Sequence, residues 1–244
     1  MDENVSCKKE VGVMLKVLPS FISDELYVIR AFNEKQEAQI SEFIDNIEQH
    51  IEVAEVEQWF QISDDAGEIG VTQIEHISGI SEEEYDIREM FTEIMPIYQR
   101  QAMLLTLWGT FECEMEKMFI YASGQESLPK KNKRDKISKF KHMITCLRKI
   151  GMPPEPTEEY SSAVKTLDNE VRLIRNTWAH DGGRDSKNKI PDGIEGILKK
   201  YSQIAISKEY IKSVVSFMHI ISQELNTSVR NAAIAANNKK QADA

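Results

Sequence analysis

The sequence predicts an all-α protein, an antiparallel helical bundle behind an acidic, mostly helical N-terminal extension. Three observations lead there. Apolar residues recur at three- and four-residue steps through long stretches of the 244 positions, the stripe that an amphipathic helix needs to bury. Clusters of Gly and Pro punctuate those stretches. There is no internal repeat and no sustained heptad pattern, so the helices pack side by side in a bundle rather than as a solenoid or long coiled coil.

Taken in order, residues 1–33 are the least readable. Val11 to Leu18 is a short apolar run before Pro19, compatible with a strand or an arm. From Asn33 the pattern becomes helical, with Ile40, Phe43, Ile44, Ile47, Ile51 and Ala54 on one face. Asp64-Asp65-Ala66-Gly67 breaks it, and residues 62–80, with Gly67, Gly70 and Gly79, suit a hairpin or an ordered loop. Ser81 followed by Glu84 has the spacing of a capping box. It opens a helical stretch to about Ser123, bent near Pro96, whose stripe is Leu104, Leu107, Trp108, Phe111, Met115, Met118 and Phe119.

A second helical run covers 130–150, with Ile137, Phe140, Ile144 and Leu147 inward. Pro153-Pro154-Glu155-Pro156 is a stiff connector, and Thr157 with Glu158 and Glu159 starts a third helix. That helix carries Tyr160, Val164, Leu167, Val171 and Ile174. Residues 182–196 hold four glycines and a proline and read as loop. Ser207 to about Ala236 is the last helix, with Ile211, Val214, Val215, Met218, Ile221 and Leu225 inward. The domain organisation expected is an acidic segment over 1–80, a helical bundle over 81–236 and a disordered tail over 237–244.

Composition narrows the class. Hydrophobic content of 41% and charged content of 29% are ordinary for a soluble globular chain. No apolar run is long enough to span a membrane, and Met1 to Glu10 lacks the apolar centre of a secretory signal. Cys7, Cys113 and Cys146 are far apart with no zinc spacing, and read as reduced thiols of a cytoplasmic protein. The net charge of −10 is unevenly spread: residues 1–95 hold 23 acids and 6 bases, residues 96–244 hold 17 and 24. An acidic front half therefore joins a basic back half, which suggests different partners for each.

The basic half contains Arg175-Asn176-Thr177-Trp178-Ala179-His180, followed by Asp181-Gly182-Gly183. A polar residue follows the Arg, small Ala179 precedes the His, and paired glycines stop the helix. This segment resembles the R-x4-6-H signature of the HEPN superfamily, whose domains are compact all-α bundles and many of whose members are RNases. The resemblance covers roughly residues 90–230. It implies a metal-independent endoribonuclease, with no cofactor, acting on RNA as a homodimer with both motifs facing one cleft. Such proteins commonly serve as toxins or phage-defence effectors, which leaves room for an antitoxin or regulatory partner. Some HEPN toxins carry a Tyr two positions after the His, where this chain has Gly182.

In such a reaction a base takes the proton of the ribose 2′-OH and an acid protonates the leaving 5′-oxygen, giving a 2′,3′-cyclic phosphate and a 5′-hydroxyl. Histidine, with an ordinary pKa of about 6.5, suits both steps; here that is His180. Arg175 would stabilise the charge growing on phosphate. Asn176, one turn before His180, would orient the imidazole or hold a phosphate oxygen. Arg175 and His180 are five apart, about 140° around a regular helix, so they converge only if the helix unwinds at His180 or if two chains contribute. Asp181 could pair with Arg175 or act on His180, or be an ordinary helix-end polar residue.

Other residues admit plainer readings. Lys130, Lys131, Lys133 and Arg134 open a stretch, 130–149, with nine bases and one acid, either a solvated face or a contact for RNA backbone. Glu112, Glu114 and Glu116 diverge around a helix and make no metal box; Glu112 or Glu116 is the candidate to buttress Arg175. Trp178 reads as packing. His50, His76, His142 and His219 have no ligand spacing. Two other classes stay open: a catalytically silent HEPN-like module that binds a nucleotide, RNA or a protein, and an unrelated helical interaction protein.

Overall fold

The computed structural model describes residues 21–63, 66–131, 136–200 and 203–242. The elements run α1 (Ser23–Asp45), a 3-10 turn (Ile47–Gln49), β1 (Glu52–Ser63), β2 (Ala66–Ile77), β3 (Ile80–Ser81) and α2 (Ile87–Glu89). A π-helical turn (Met90–Ile94) leads into α3 (Met95–Ser123), followed by α4 (Lys139–Lys149) and α5 (Glu158–Thr166). A second π turn (Leu167–Val171) precedes α6 (Arg172–Asp181), β4 (Ile197–Lys200), β5 (Gln203–Ile206) and α7 (Lys208–Ala242). The Val11–Leu18 run and the Asp64-Asp65 break lie outside the described residues. Two compact units emerge, Phe32–Ala102 and Met103–Ala244 with Met1–Ala31.

The all-α expectation is overturned. Strands β1, β2 and β3 form one antiparallel sheet and β4 and β5 another, so the chain is mixed α and β. The first sheet displaces the end of the expected helix. That helix stops at Asp45, and Ala54 pairs with Ile74 inside the β1–β2 ladder. The cause is local composition: Val53, Val56, Trp59, Phe60 and Ile62 are β-branched or aromatic, and side chains of this kind favour a pleated strand over a helix. The second sheet was hidden by its brevity. Ile204 and Ile206 alternate into the core with two intermediate neighbours, but four residues are too few to stand out beside a glycine-rich loop.

In the unit Phe32–Ala102, Ile40, Ile74, Ile77 and Ile87 are buried. Arg100 forks onto Glu37 through Nε and Nη2, at 2.8 and 2.9 Å. Arg88 holds both Glu48 oxygens at 3.0 Å and Glu75 at 2.9 Å. The capping box expected at Ser81 does not start the helix, because Ser81 is paired in β3. Asp86 is the cap instead, its carboxylate accepting from the Glu89 N–H at 2.9 Å. The π turn Met90–Ile94 sits just before Pro96, which has no N–H to offer a regular ladder.

The larger unit carries the helical core. Leu104, Leu107, Trp108, Phe111, Met115, Met118 and Phe119 of α3 are all at most 1% exposed. Phe140 of α4 meets Trp108 and Phe111, with ring centroids 5.5 and 6.1 Å away. Ile144, Leu147, Tyr160, Leu167, Val171, Ile174, Ile211, Val214, Val215, Met218, Ile221 and Leu225 complete the buried set, whereas Ile137 and Val164 are only half-buried. Ser138 caps α4 and Thr157 caps α5. On α7, Asn226 donates to the Phe21 carbonyl at 2.7 Å and accepts its N–H at 3.1 Å, so one buried amide fixes the chain entering α1. Helix α7 continues past Ala236 to Ala242.

Candidate functional site

The motif lies on α6, which stays helical through Asp181. Gly182 ends it at φ 58°, and Gly183 returns its N–H to the Thr177 carbonyl at 3.1 Å. With no unwinding at His180, Arg175 and His180 leave the helix in directions about 140° apart.

Arg175 occupies a half-buried niche. Its guanidinium carbon is 5.9 Å from the Trp108 ring centroid. Its Nη1 donates to Asn176 Oδ1 at 2.8 Å, Nη2 is 4.0 Å from a Glu112 oxygen, and buried Nε has no hydrogen-bond partner. Glu112 is thus the carboxylate beside Arg175, while Glu116 lies 3.4 Å from Lys139. Glu114 faces Lys117 at 2.5 Å. Trp178 is 5% exposed and packs.

The opposite face of α6 opens on a pocket of about 240 Å3. Arg172, Asn176 and His180 line it at four-residue steps, one above another on one helix face. Thr177, Asp181 and the loop residues Arg184, Asp185, Lys187 and Lys189 complete most of the wall. Arg175 takes no part in it. Lys130 and Lys131 are exposed and do not line it either, and Lys133 and Arg134 lie outside the described residues.

Arg172 is the residue that the sequence reading passed over. Its Nε donates to Asp168 Oδ1 at 2.8 Å and to the Asp168 carbonyl at 3.0 Å. Asp168 is itself held by the Ser138 hydroxyl at 2.6 Å, so the N-cap of α4 braces a guanidinium on α6. The Nη groups of Arg172 make no protein hydrogen bond among the described residues. The signal was present: Arg172 stands four residues before Asn176, as Asn176 stands four before His180.

The loop is fastened from two sides. Gly183 accepts from the Ile204 N–H at 2.9 Å, Gln203 Nε2 reaches the Gly182 carbonyl at 3.2 Å, and Arg184 bridges to Gln203. The β4–β5 hairpin therefore anchors the pocket's outer wall. Asp185, 7% exposed, accepts the N–H groups of Lys189 at 2.8 Å and Ile190 at 3.0 Å, with Lys199 at 3.5 Å. Burial pushes its carboxyl up, but those two N–H groups and the Lys199 ammonium outweigh burial and hold it below the ordinary aspartate range. Asp192, and then Asp185, hold the Lys199 ammonium above the usual lysine range.

Two outcomes follow. A Cβ at Gly183 would lie 2.6 Å from the Trp178 ring, at φ +81°, so Gly183→Ala should cost about 2–4 kcal/mol. Gly182→Ala, with open space around its Cβ, should cost about 1 kcal/mol. Urea unfolding of the two variants measures the difference. For Asp185, a lowered folded-state pKa stabilises above the unfolded value of about 3.9 and loses that stabilisation as pH falls through the lower folded value. The Tm advantage of wild type over Asp185→Asn should thus be full at pH 6–7 and shrink steadily below about pH 4. An advantage independent of pH would assign the effect to packing.

With Asp185 committed to the loop and Arg172 paired with Asp168, the other charged side chains lining the pocket are mainly cationic: Arg184, Lys187 and Lys189 against Asp181. That balance favours an anionic ligand over a cationic one. Among the described residues no three His, Cys, Asp or Glu side chains group as metal ligands. No helix among them is long and apolar enough to cross a membrane. No protein-family model, curated protein or solved structure matches the chain.

Proposed function

We propose that this chain is a metal-independent endoribonuclease of HEPN type, acting in the cytoplasm as a homodimer. The observation that carries the reading is the Arg172–Asn176–His180 stripe, with an imidazole, an amide and a braced guanidinium on one wall of a cationic pocket. His180 transfers the proton. Asn176, whose carbonyl oxygen is taken by Arg175, offers its Nδ2 to a phosphate oxygen. Arg172 supplies the forked charge that the sequence reading gave to Arg175, and Arg175 orients Asn176. Lys187, Lys189 and Arg184 attract the flanking backbone.

One imidazole cannot serve as acid and base at the same moment. A two-fold dimer brings a second His180 to the scissile bond, which is the arrangement that the resemblance to HEPN ribonucleases implies. A role as a toxin or phage-defence effector restrained by another protein belongs to the same reading.

The presence of only one imidazole in the pocket also favours a second reading, an RNA- or nucleotide-binding module that does not cleave. Incubating the chain with total RNA in EDTA separates the two. Fragments ending in cyclic phosphate and 5′-hydroxyl support the nuclease. Intact RNA retained in a salt-sensitive complex supports the binder, and no RNA effect at all removes both.

A further inference from the structure

The hairpin formed by β1 and β2 is far more exposed than a free-standing ribbon in water should be. The third strand pairs only with His76 and Ile77, so most of the ladder from Glu52 to Ser63 is two strands wide. Ribbons of two strands are marginal on their own. Here Trp59, Ile62, Ile69 and Val71 are each 64–68% exposed and Val53 is 57% exposed. By the pairing register, Val53, Trp59, Ile69 and Val71 share one face. The register is built in, because the Trp59 and Phe60 rings lie where a Cβ on Gly67 or Gly70 would stand, within 2.3 and 2.8 Å. The hairpin is a formed surface with one unpaired edge: β1 ends the strand order, and no strand among the described residues takes its outer edge.

Charge selects the occupant. Residues 36–87 contain no Lys or Arg, and Glu52 to Ile77 carry seven acids. Edge strands are commonly protected by lysine or proline, and β1 has neither. A second copy of β1 is disfavoured, since β1 carries three acids and no Lys or Arg, so a self-paired edge would add acid to acid with no cation to match it. We propose that the β1 edge accepts an extended strand of a partner protein that carries both basic and apolar residues at alternate positions, all on the face of Val53, Glu55, Glu57 and Trp59. Main-chain hydrogen bonds extend the sheet, and on the Trp59 face the partner's apolar residues lie beside Val53 and Trp59 while its bases meet Glu55 and Glu57, which share that face. This inference goes beyond the α6 pocket and stands whether or not the chain cuts RNA.

The test uses the full chain and two synthetic twelve-residue peptides, one with valine, lysine, lysine and valine at successive alternate positions and threonine elsewhere, the other with glutamate in place of the lysines. The lysine peptide should bind saturably, slow amide exchange selectively in Glu52–Ile62, and weaken with salt. Its affinity should drop at least tenfold in Trp59→Ser/Ile69→Ser, which keeps every charge, and several-fold in Glu55→Gln/Glu57→Gln, which keeps every apolar contact. Equal binding of the two peptides, binding that leaves β1 amides unprotected, or no binding would each overturn the proposal. So would β1 amides already protected in the free chain and released on dilution, which would make the edge a self-association surface.

Discussion

Replacing His180 with alanine is expected to lower RNA cleavage by about 10²- to 10⁴-fold, the range for loss of a proton-transferring side chain, with RNA affinity nearly unchanged. The side chain is exposed at the last turn of α6 and makes no hydrogen bond to protein among the described residues. Its removal therefore leaves no buried group unsatisfied, and Tm should move little. Most of the cationic charge at the pocket is untouched, so the salt dependence of binding should survive. His180→Gln, of similar reach but unable to titrate, should be as inactive as alanine. Full cleavage by either variant would remove His180 from the chemistry and with it the nuclease reading of this pocket. Retained binding without cleavage in the wild type would leave the pocket as an RNA contact only.

What the sequence made legible follows from how each signal is carried. The α3 stripe from Leu104 to Phe119 is seven large residues on one face of a 29-residue helix, and every one is buried. A pattern that long survives any detail of context. The β1 strand failed because Ile47, Ile51 and Ala54 prolong a helical period by chance, while the alternation that follows carries exposed apolar residues on both faces. Without a buried face a strand has no period of two to read. The candidate site was half legible. The peptide Arg175–His180 could be picked out as a linear motif, but which of its side chains share a pocket depends on helix phase. That phase unites His180 and Asn176 with Arg172, upstream of the motif, and turns Arg175 toward Trp108 and Glu112. The loop residues Arg184, Lys187 and Lys189 needed the β4–β5 hairpin to fix them, and that hairpin was itself unread.

The two arginines should part company under mutation. Arg172→Ala is expected to lower kcat by about 10²- to 10³-fold, as loss of a charge-stabilising donor does, and to reduce the salt slope of single-stranded RNA binding by about 0.7. Arg172→Lys should restore the slope but only part of the rate, because an ammonium cannot fork onto two phosphate oxygens or keep the Nε bond to Asp168. Arg175→Ala should act differently. It strips Asn176 of its 2.8 Å partner and leaves the Glu112 carboxylate, 15% exposed, without the cation beside it. The expected cost is about 1–3 kcal/mol of stability, with a smaller loss of kcat measured well below the lowered Tm and no change in salt slope. Asn176→Ala, which removes the donor that Arg175 orients, should lower kcat at least as far and, with Glu112 still beside Arg175, cost less stability. If Arg175→Ala abolishes cleavage in a folded chain while Arg172→Ala does not, the guanidinium at the phosphate is Arg175. A partner chain or a rotation of α6 must then bring it to His180.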